Sequence, residues 1–176
     1  MVTESRPTTE TRPDTQGRFS ILIADDDSGN RETLAEVLRK KGFLTVTAAD
    51  GEQAVEIVQV QMIHLVLFDM HMPRLTGLEA VNVLRQVLHR VLPAVLMTAD
   101  ATKDLMRQAF LAQVYSVIPK PVNTNIVLHT LTRALSQVYG PPALKSEDQK
   151  SEDQKSEGQK SEVRDQEQPP AGPSDL

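Results

Sequence analysis

Five short apolar runs recur along the chain, each closing on polar residues: Phe19 to Ala24, Phe43 to Ala48, Ile63 to Phe68, Leu92 to Met97 and Tyr115 to Ile118. Runs that are apolar throughout, rather than at every second position, are those of strands buried on both faces, the signature of a parallel sheet. Helix-period segments separate them. Arg31 to Lys40 sets Leu34, Ala35 and Leu38 on one face, with Gly42 as a stop signal. Asp50-Gly51 marks a turn and cap before a helix over Glu52 to Val60. Leu78, Val81, Leu84 and Leu88 stripe a helix from Leu78 to Val87, Lys103 to Leu111 is a short helix, and Asn123 caps a last one with Val127, Leu131, Leu135 and Val138 on its face. Strict alternation of strand and helix predicts an α/β fold, (βα)5, a doubly wound five-stranded parallel sheet with helices on both faces.

The pattern occupies residues 18–140 and neither end. Residues 1–17, rich in Thr, Pro and charge without periodicity, read as a disordered leader. Residues 141–176 repeat Ser-Glu-Asp-Gln-Lys and its variants, a five-residue period that matches neither helix nor strand, and read as a disordered, solvated, low-complexity charged tail. The formal net charge of -5 is carried by these ends, because residues 18–140 hold 12 basic and 12 acidic side chains. No basic field draws the chain to DNA, so direct DNA binding is not expected. No stretch approaches the ~18 apolar residues of a membrane span, and membrane insertion is not expected either. The absence of cysteine excludes disulfides, zinc-thiolate sites and cysteine nucleophiles and suits a reducing, cytoplasmic setting.

The polar closures of the runs carry the chemistry. Ligand sites of open α/β sheets form at the carboxyl ends of the strands. There the sequence sets Asp25 and Asp26, Asp69, Thr98 followed by Ala99, and Lys120 followed by Pro121. Each has an ordinary reading: a capping or turn acid, an Asp-rich loop, a strand-end Thr, a surface Lys. Asp27, third in the acidic run, reads as a solvated or capping residue. Taken jointly, three carboxylates, a hydroxyl and an ammonium on one edge make a metal-dependent phosphate site. Asp69 is the candidate nucleophile toward phosphorus. Asp26 and Asp69, with a backbone carbonyl just beyond Asp69, offer the oxygen ligands Mg²⁺ prefers. Thr98 can donate to a phosphoryl oxygen, and Lys120 can neutralise another.

At this point the chain resembles the receiver domain of two-component response regulators, of the stand-alone chemotaxis-regulator kind. The resemblance is carried by Ile21 to Asp27, Asp50 to Ala54, Leu65 to Pro73, Leu75 to Ala80, Val95 to Ala99 and Pro119 to Val122, and covers Phe19 to Val138. It implies a flavodoxin-like fold and phosphoryl transfer to Asp69 from a sensor histidine kinase or histidine phosphotransfer protein. It further implies Mg²⁺ held by Asp26, Asp69 and the His71 carbonyl, with Asp25 acting through water, and Thr98 and Lys120 contacting the phosphoryl group. The chain would then be a phosphoprotein that phosphorylates and dephosphorylates itself rather than a conventional enzyme. It would signal through protein–protein contacts to a downstream target the sequence does not name, with the fourth helix, fifth strand and fifth helix as output face.

Two positions depart from the family pattern. Val117 stands where an aromatic or His residue is usual, and Gln113-Val114 replaces the usual Gly-Ala. Tyr115, two residues before Val117, either supplies the missing ring on the same side of the strand or is a packed surface residue. His71 either tunes the lifetime of the phosphoryl group or faces solvent, and His64 reads as an edge residue. Val117 motivates an alternative, a pseudo-receiver that binds partners without phosphorylation. A phosphatase with an Asp nucleophile is disfavoured because His71 occupies the place of its second Asp. A flavin carrier is disfavoured because three acids follow the first strand, where a flavin phosphate would have to sit.

Overall fold

The computed structural model describes residues 13–14 and 17–140. The leader and tail expected over 1–17 and 141–176 lie outside these residues, apart from 13, 14 and 17. The elements run β1 (Ser20–Ala24), α1 (Ser28–Lys40), β2 (Leu44–Ala48), α2 (Gly51–Val60), β3 (Leu65–Asp69), α3 (Gly77–Val87), β4 (Ala94–Thr98), α4 (Lys103–Leu111), β5 (Ser116–Pro119) and α5 (Thr124–Tyr139). All strands pair in parallel, in the order β2-β1-β3-β4-β5. This is the (βα)5 parallel sheet the alternation predicts, with the flavodoxin-like arrangement the resemblance implies.

Period-two alternation sorts the strand residues between two cores. Leu22, Val66, Phe68 and Leu96 pack on the side of α2, α3 and α4, whereas Ile21, Ile23, Leu65, Leu67, Val95 and Met97 pack toward α1 and α5. Every residue of β1, β3 and β4 is buried. That explains why their sequences show no polar alternation. Each such Leu, Ile or Phe contributes roughly 1.5–3 kcal/mol by leaving water.

Helix starts are set by side-chain caps, and these correct several sequence boundaries. Asp27 accepts from the Asn30 N–H, so α1 begins three residues before Arg31. Thr76 and Glu79 form a reciprocal capping box that starts α3 at Gly77. Thr102 and Asn123 cap α4 and α5. Among the described residues no helix is long and apolar enough to cross a membrane.

One sequence reading fails, and one of two alternatives is excluded. His64 is not an edge residue: it is buried, its Nδ1 accepts from the Ser20 N–H at 2.9 Å, and its ring meets Phe19 and Tyr139 edge-on or nearly so. The Tyr139 hydroxyl donates to the His64 carbonyl at 3.0 Å. A polar residue preceding β3 is thus enclosed because β1 and α5 converge on it. Tyr115 does not stand beside Val117. It precedes β5, just after Gln113 with its φ of 56°, and packs toward α1 and α5, while Val117 packs on the opposite face. The ring therefore cannot substitute for the one absent at residue 117.

The carboxyl end of β3 is locked by a close approach at Gly77. A Cβ there would lie 2.4 Å from the Asp69 carbonyl oxygen. Gly77→Ala is expected to destabilise the protein by roughly 1–3 kcal/mol through backbone displacement, measurable as a lower urea midpoint. An unchanged midpoint would mean that α3 and β3 are not this close.

Candidate functional site

Strand order reverses between β1 and β3, because β2 lies to one side of β1 and β4 and β5 lie beyond β3. Such a switch point leaves a crevice beyond the strand ends. Asp25 and Asp26 follow β1, and Asp69 ends β3, so the reversal itself brings the carboxylates together. One oxygen from each of Asp25, Asp26 and Asp69 lies within 4.8 Å of the others, with Asp25 and Asp69 buried and Asp26 exposed.

Lys120 reaches into this group from the end of β5. Its Nζ lies 2.8 Å from Asp69 Oδ1 and 3.2 Å from Asp25 Oδ2. The Lys120 N–H donates to the Thr98 carbonyl at 2.7 Å, which fixes the base of the side chain, and the following Lys120–Pro121 peptide is cis. Asp25 is held on both sides: its Oδ1 accepts from the Asp27 N–H at 2.9 Å, and its carbonyl accepts from Arg31 Nη1 at 2.6 Å.

Burial is the largest influence on Asp69 and pushes its carboxyl up. The Lys120 hydrogen bond and charge pull it down, Asp25 and Asp26 push it up again, and the result is above the ordinary value of 3.8. For Lys120, burial disfavours the charge, but the bonds and charges of Asp69 and Asp25 outweigh it and raise its pKa, keeping the ammonium protonated. Among these four side chains, three carboxylates face one ammonium. In a half-buried setting this surplus negative charge is costly, and a small hard cation with oxygen ligands relieves it.

Thr98, wholly buried at the end of β4, points its hydroxyl elsewhere. Oγ1 donates to the Asp100 carbonyl at 3.1 Å and accepts from the Asp100 N–H at 3.2 Å. His71 is exposed in the loop between β3 and α3 and borders a cleft with Asp100, Thr102 and Asp104. Asp25, Asp26, Asp69, Thr98, Lys120 and His71 thus lie at this end of the sheet. Reasoning from sequence missed Arg31 and the Asp100 backbone. Neither has a local signal, since an Arg on a helix and an Asp in a loop are ordinary.

The sequence profile of the response regulator receiver domain matches residues 21–132. The transcriptional regulatory protein PdtaR of Mycobacterium tuberculosis is 33% identical over 128 residues, which are 72% of this chain and 62% of that protein. The sensor histidine kinase RcsC of Salmonella typhimurium is 33% identical over 125 residues, 71% of this chain but 13% of that protein. The chain therefore spans less than two thirds of these relatives. Among solved structures, the Vibrio cholerae chemotaxis protein CheY4 superposes with a TM-score of 0.63 at 26% identity, over 66% of this chain and 98% of that one. A CheY-like receiver domain protein from Methanospirillum hungatei does so at 0.65 and 22% identity, over 68% and 95%, a likeness of fold.

The raised Asp69 pKa carries a stability consequence. Below the ordinary value of 3.8 the group is protonated, folded or unfolded, and has no effect. As pH rises the unfolded chain ionises first, so stability falls until the folded pKa is passed. In metal-free buffer, Asp69→Asn is expected to melt a few degrees higher than the unsubstituted protein at neutral pH, with the difference vanishing in acid. Equal melting at neutral pH would show that Lys120 fully offsets the burial of the carboxylate.

Proposed function

The chain belongs to the response regulator receiver family, and we propose that it accepts a phosphoryl group on Asp69 in a Mg²⁺-dependent reaction. The observation that carries this reading is the convergence of Asp25, Asp26 and Asp69 on one point with Lys120 bonded to two of them. The donor is a sensor histidine kinase or a histidine phosphotransfer protein. An Asp69 oxygen attacks phosphorus, the P–O bond forms as the P–N bond to the donor imidazole breaks, and the electron pair leaves with the nitrogen. The donor set is all oxygen, which fits Mg²⁺. Asp26, Asp69 and the His71 carbonyl would hold the ion, with Asp25 acting through water. When bound, it neutralises phosphoryl oxygens during transfer.

The remaining steps belong to the chain's own groups. Lys120, protonated and already beside Asp69, exchanges a carboxylate partner for a phosphoryl oxygen. Among the described residues, the Thr98 hydroxyl is held by the Asp100 backbone alone. Turning it toward the phosphoryl group breaks those two bonds and frees the β4–α4 connection. Phosphorylation shifts the population between the two arrangements by this difference in contacts. Val117, packed in the core on the α2, α3 and α4 side, has no ring to swing, so the readout runs through Thr98 and α4 rather than through residue 117.

The proposed receiver unit is residues 18–140, acting in the cytoplasm on a downstream protein through its own surface, with no direct DNA contact and no membrane insertion. The unit signals by surface contact rather than acting as a conventional enzyme. The alternative, a pseudo-receiver, has Val117 in its favour and the complete acidic cluster with Lys120 against it.

Incubation with acetyl phosphate or phosphoramidate and Mg²⁺ is expected to add about 80 Da, one phosphoryl group, by intact-mass spectrometry. Asp69→Ala and chelation of the metal should each abolish the adduct. No adduct with either donor or a cognate kinase favours the pseudo-receiver.

A further inference from the structure

The loop from β3 to α3, residues 70–76, leaves Asp69 and carries the His71 carbonyl. Its ends are pinned by backbone bonds: the Met70 N–H donates to the Met97 carbonyl at 2.8 Å, and the Gly77 N–H donates to the Met70 carbonyl at 3.1 Å. Its middle is held from another element. Arg74 Nη2 donates to Asp50 Oδ2, and Arg74 Nε lies 3.4 Å from Glu52 Oε2. Asp50 is a buried carboxylate that also caps α2, its Oδ1 accepting from the Gln53 N–H at 2.9 Å. Burial pushes Asp50 up, but the bonds from Gln53 and Arg74 and the Arg74 charge leave it below its ordinary value.

Two further observations fall on the same junction. Arg74 has a φ of 68°, a left-handed conformation uncommon for a residue with a Cβ and kept only where its surroundings demand it. The next residue, Leu75, lies directly on the start of α2: a Cβ on Gly51 would be 2.5 Å from the Leu75 carbonyl oxygen and 2.7 Å from Leu75 Cβ. A strained backbone, an ion pair to a buried carboxylate and a close backbone approach meet within two residues. The ion pair is the one of these that can offset the strain.

We propose that Arg74 is a positioning residue for the acidic site: anchored on Asp50 at the start of α2, it sets the course of the β3–α3 loop and thereby the His71 carbonyl, so divalent-cation affinity depends on this anchor. This rests on the reading of Asp26, Asp69 and the His71 carbonyl as Mg²⁺ ligands. Charge acting alone demands the opposite sign. Removing a guanidinium and baring a carboxylate makes the neighbourhood more negative, which would tighten cation binding. Loss of loop positioning weakens it.

The test is calorimetric titration of the full chain with Mg²⁺, paired with melting in chelator, for Arg74→Gly, Arg74→Lys and Gln53→Ala. Glycine removes the anchor while tolerating the positive φ. Gln53, whose Oε1 accepts from the Ala49 N–H at 2.7 Å, loosens the same turn without touching the loop. Arg74→Gly is expected to raise the Mg²⁺ Kd roughly 10-fold, as removal of outer supports of a metal site does. Arg74→Lys should recover most of the affinity, and Gln53→Ala should leave the Kd unchanged while lowering the melting temperature. An unchanged or lower Kd for Arg74→Gly overturns the inference alone, as does an equal loss in Gln53→Ala. Failure of the unsubstituted chain to take up Mg²⁺ overturns the ligand reading and this inference with it.

Discussion

Repulsion among three carboxylates gathered at one end of a parallel sheet is the constraint around which this protein is organised. The sheet cannot avoid the gathering, because the reversal of strand order between β1 and β3 directs both strand ends into one crevice. Lys120 answers part of the charge, bonded to Asp69 and Asp25 at once. Its own position depends on β5 pairing with β4 and on its N–H bond to Thr98. The site is thus a property of four adjacent strands, β1, β3, β4 and β5, rather than of any one loop.

The surplus negative charge also gives the proposed chemistry its direction. A folded state that tolerates ionised Asp69 at a cost gains more from a bound cation than a relaxed one would. The proposed phosphorylation would add further charge at the same oxygen, and the groups able to respond are those whose present bonds are shared or held by one residue. Lys120 divides its ammonium between two acids, and the Thr98 hydroxyl is held by one residue's backbone. By contrast, Arg85 is committed: it donates to the carbonyls of Leu92, Ala112 and Gln113 and ties the far end of α4 to α3 and β4. In the proposed response, a change that begins at Thr98 meets α4 first at its Thr102-capped amino end, away from the end that Arg85 holds.

Much of this was legible from residues alone, for a definite reason. From Ile21 on in β1, and throughout β3 and β4, the buried runs stay apolar to their ends, so Asp25, Asp69 and Thr98, and Lys120 after the shorter run of β5, stand out as the polar residues that close them. Caps are similarly visible, since Asp50 and Asn123 act within three residues of themselves. What was missed acts across the chain. His64 reads as polar and peripheral but is enclosed by Phe19 and Tyr139, residues 45 and 75 positions away in sequence. Tyr115 lies just before β5 rather than in it, next to the turn at Gln113, so the alternation of the strand does not set its face. Arg74 carried no signal, because an arginine in a polar loop is unremarkable until the buried acid it reaches is known.

The sequence by itself determined the element order, the two-sided burial of the sheet and the identity of the polar groups at its carboxyl edge. Hydrophobic period and strand-end chemistry are local, and local patterns survive in one dimension. Only the tertiary structure decided that Lys120 bridges Asp69 and Asp25, that the Thr98 hydroxyl is turned to Asp100, that Tyr115 and Val117 face opposite cores, and that Arg74 fastens the β3–α3 loop to α2. Each depends on angstrom-scale approach between segments distant along the chain, which packing sets and residue order does not record.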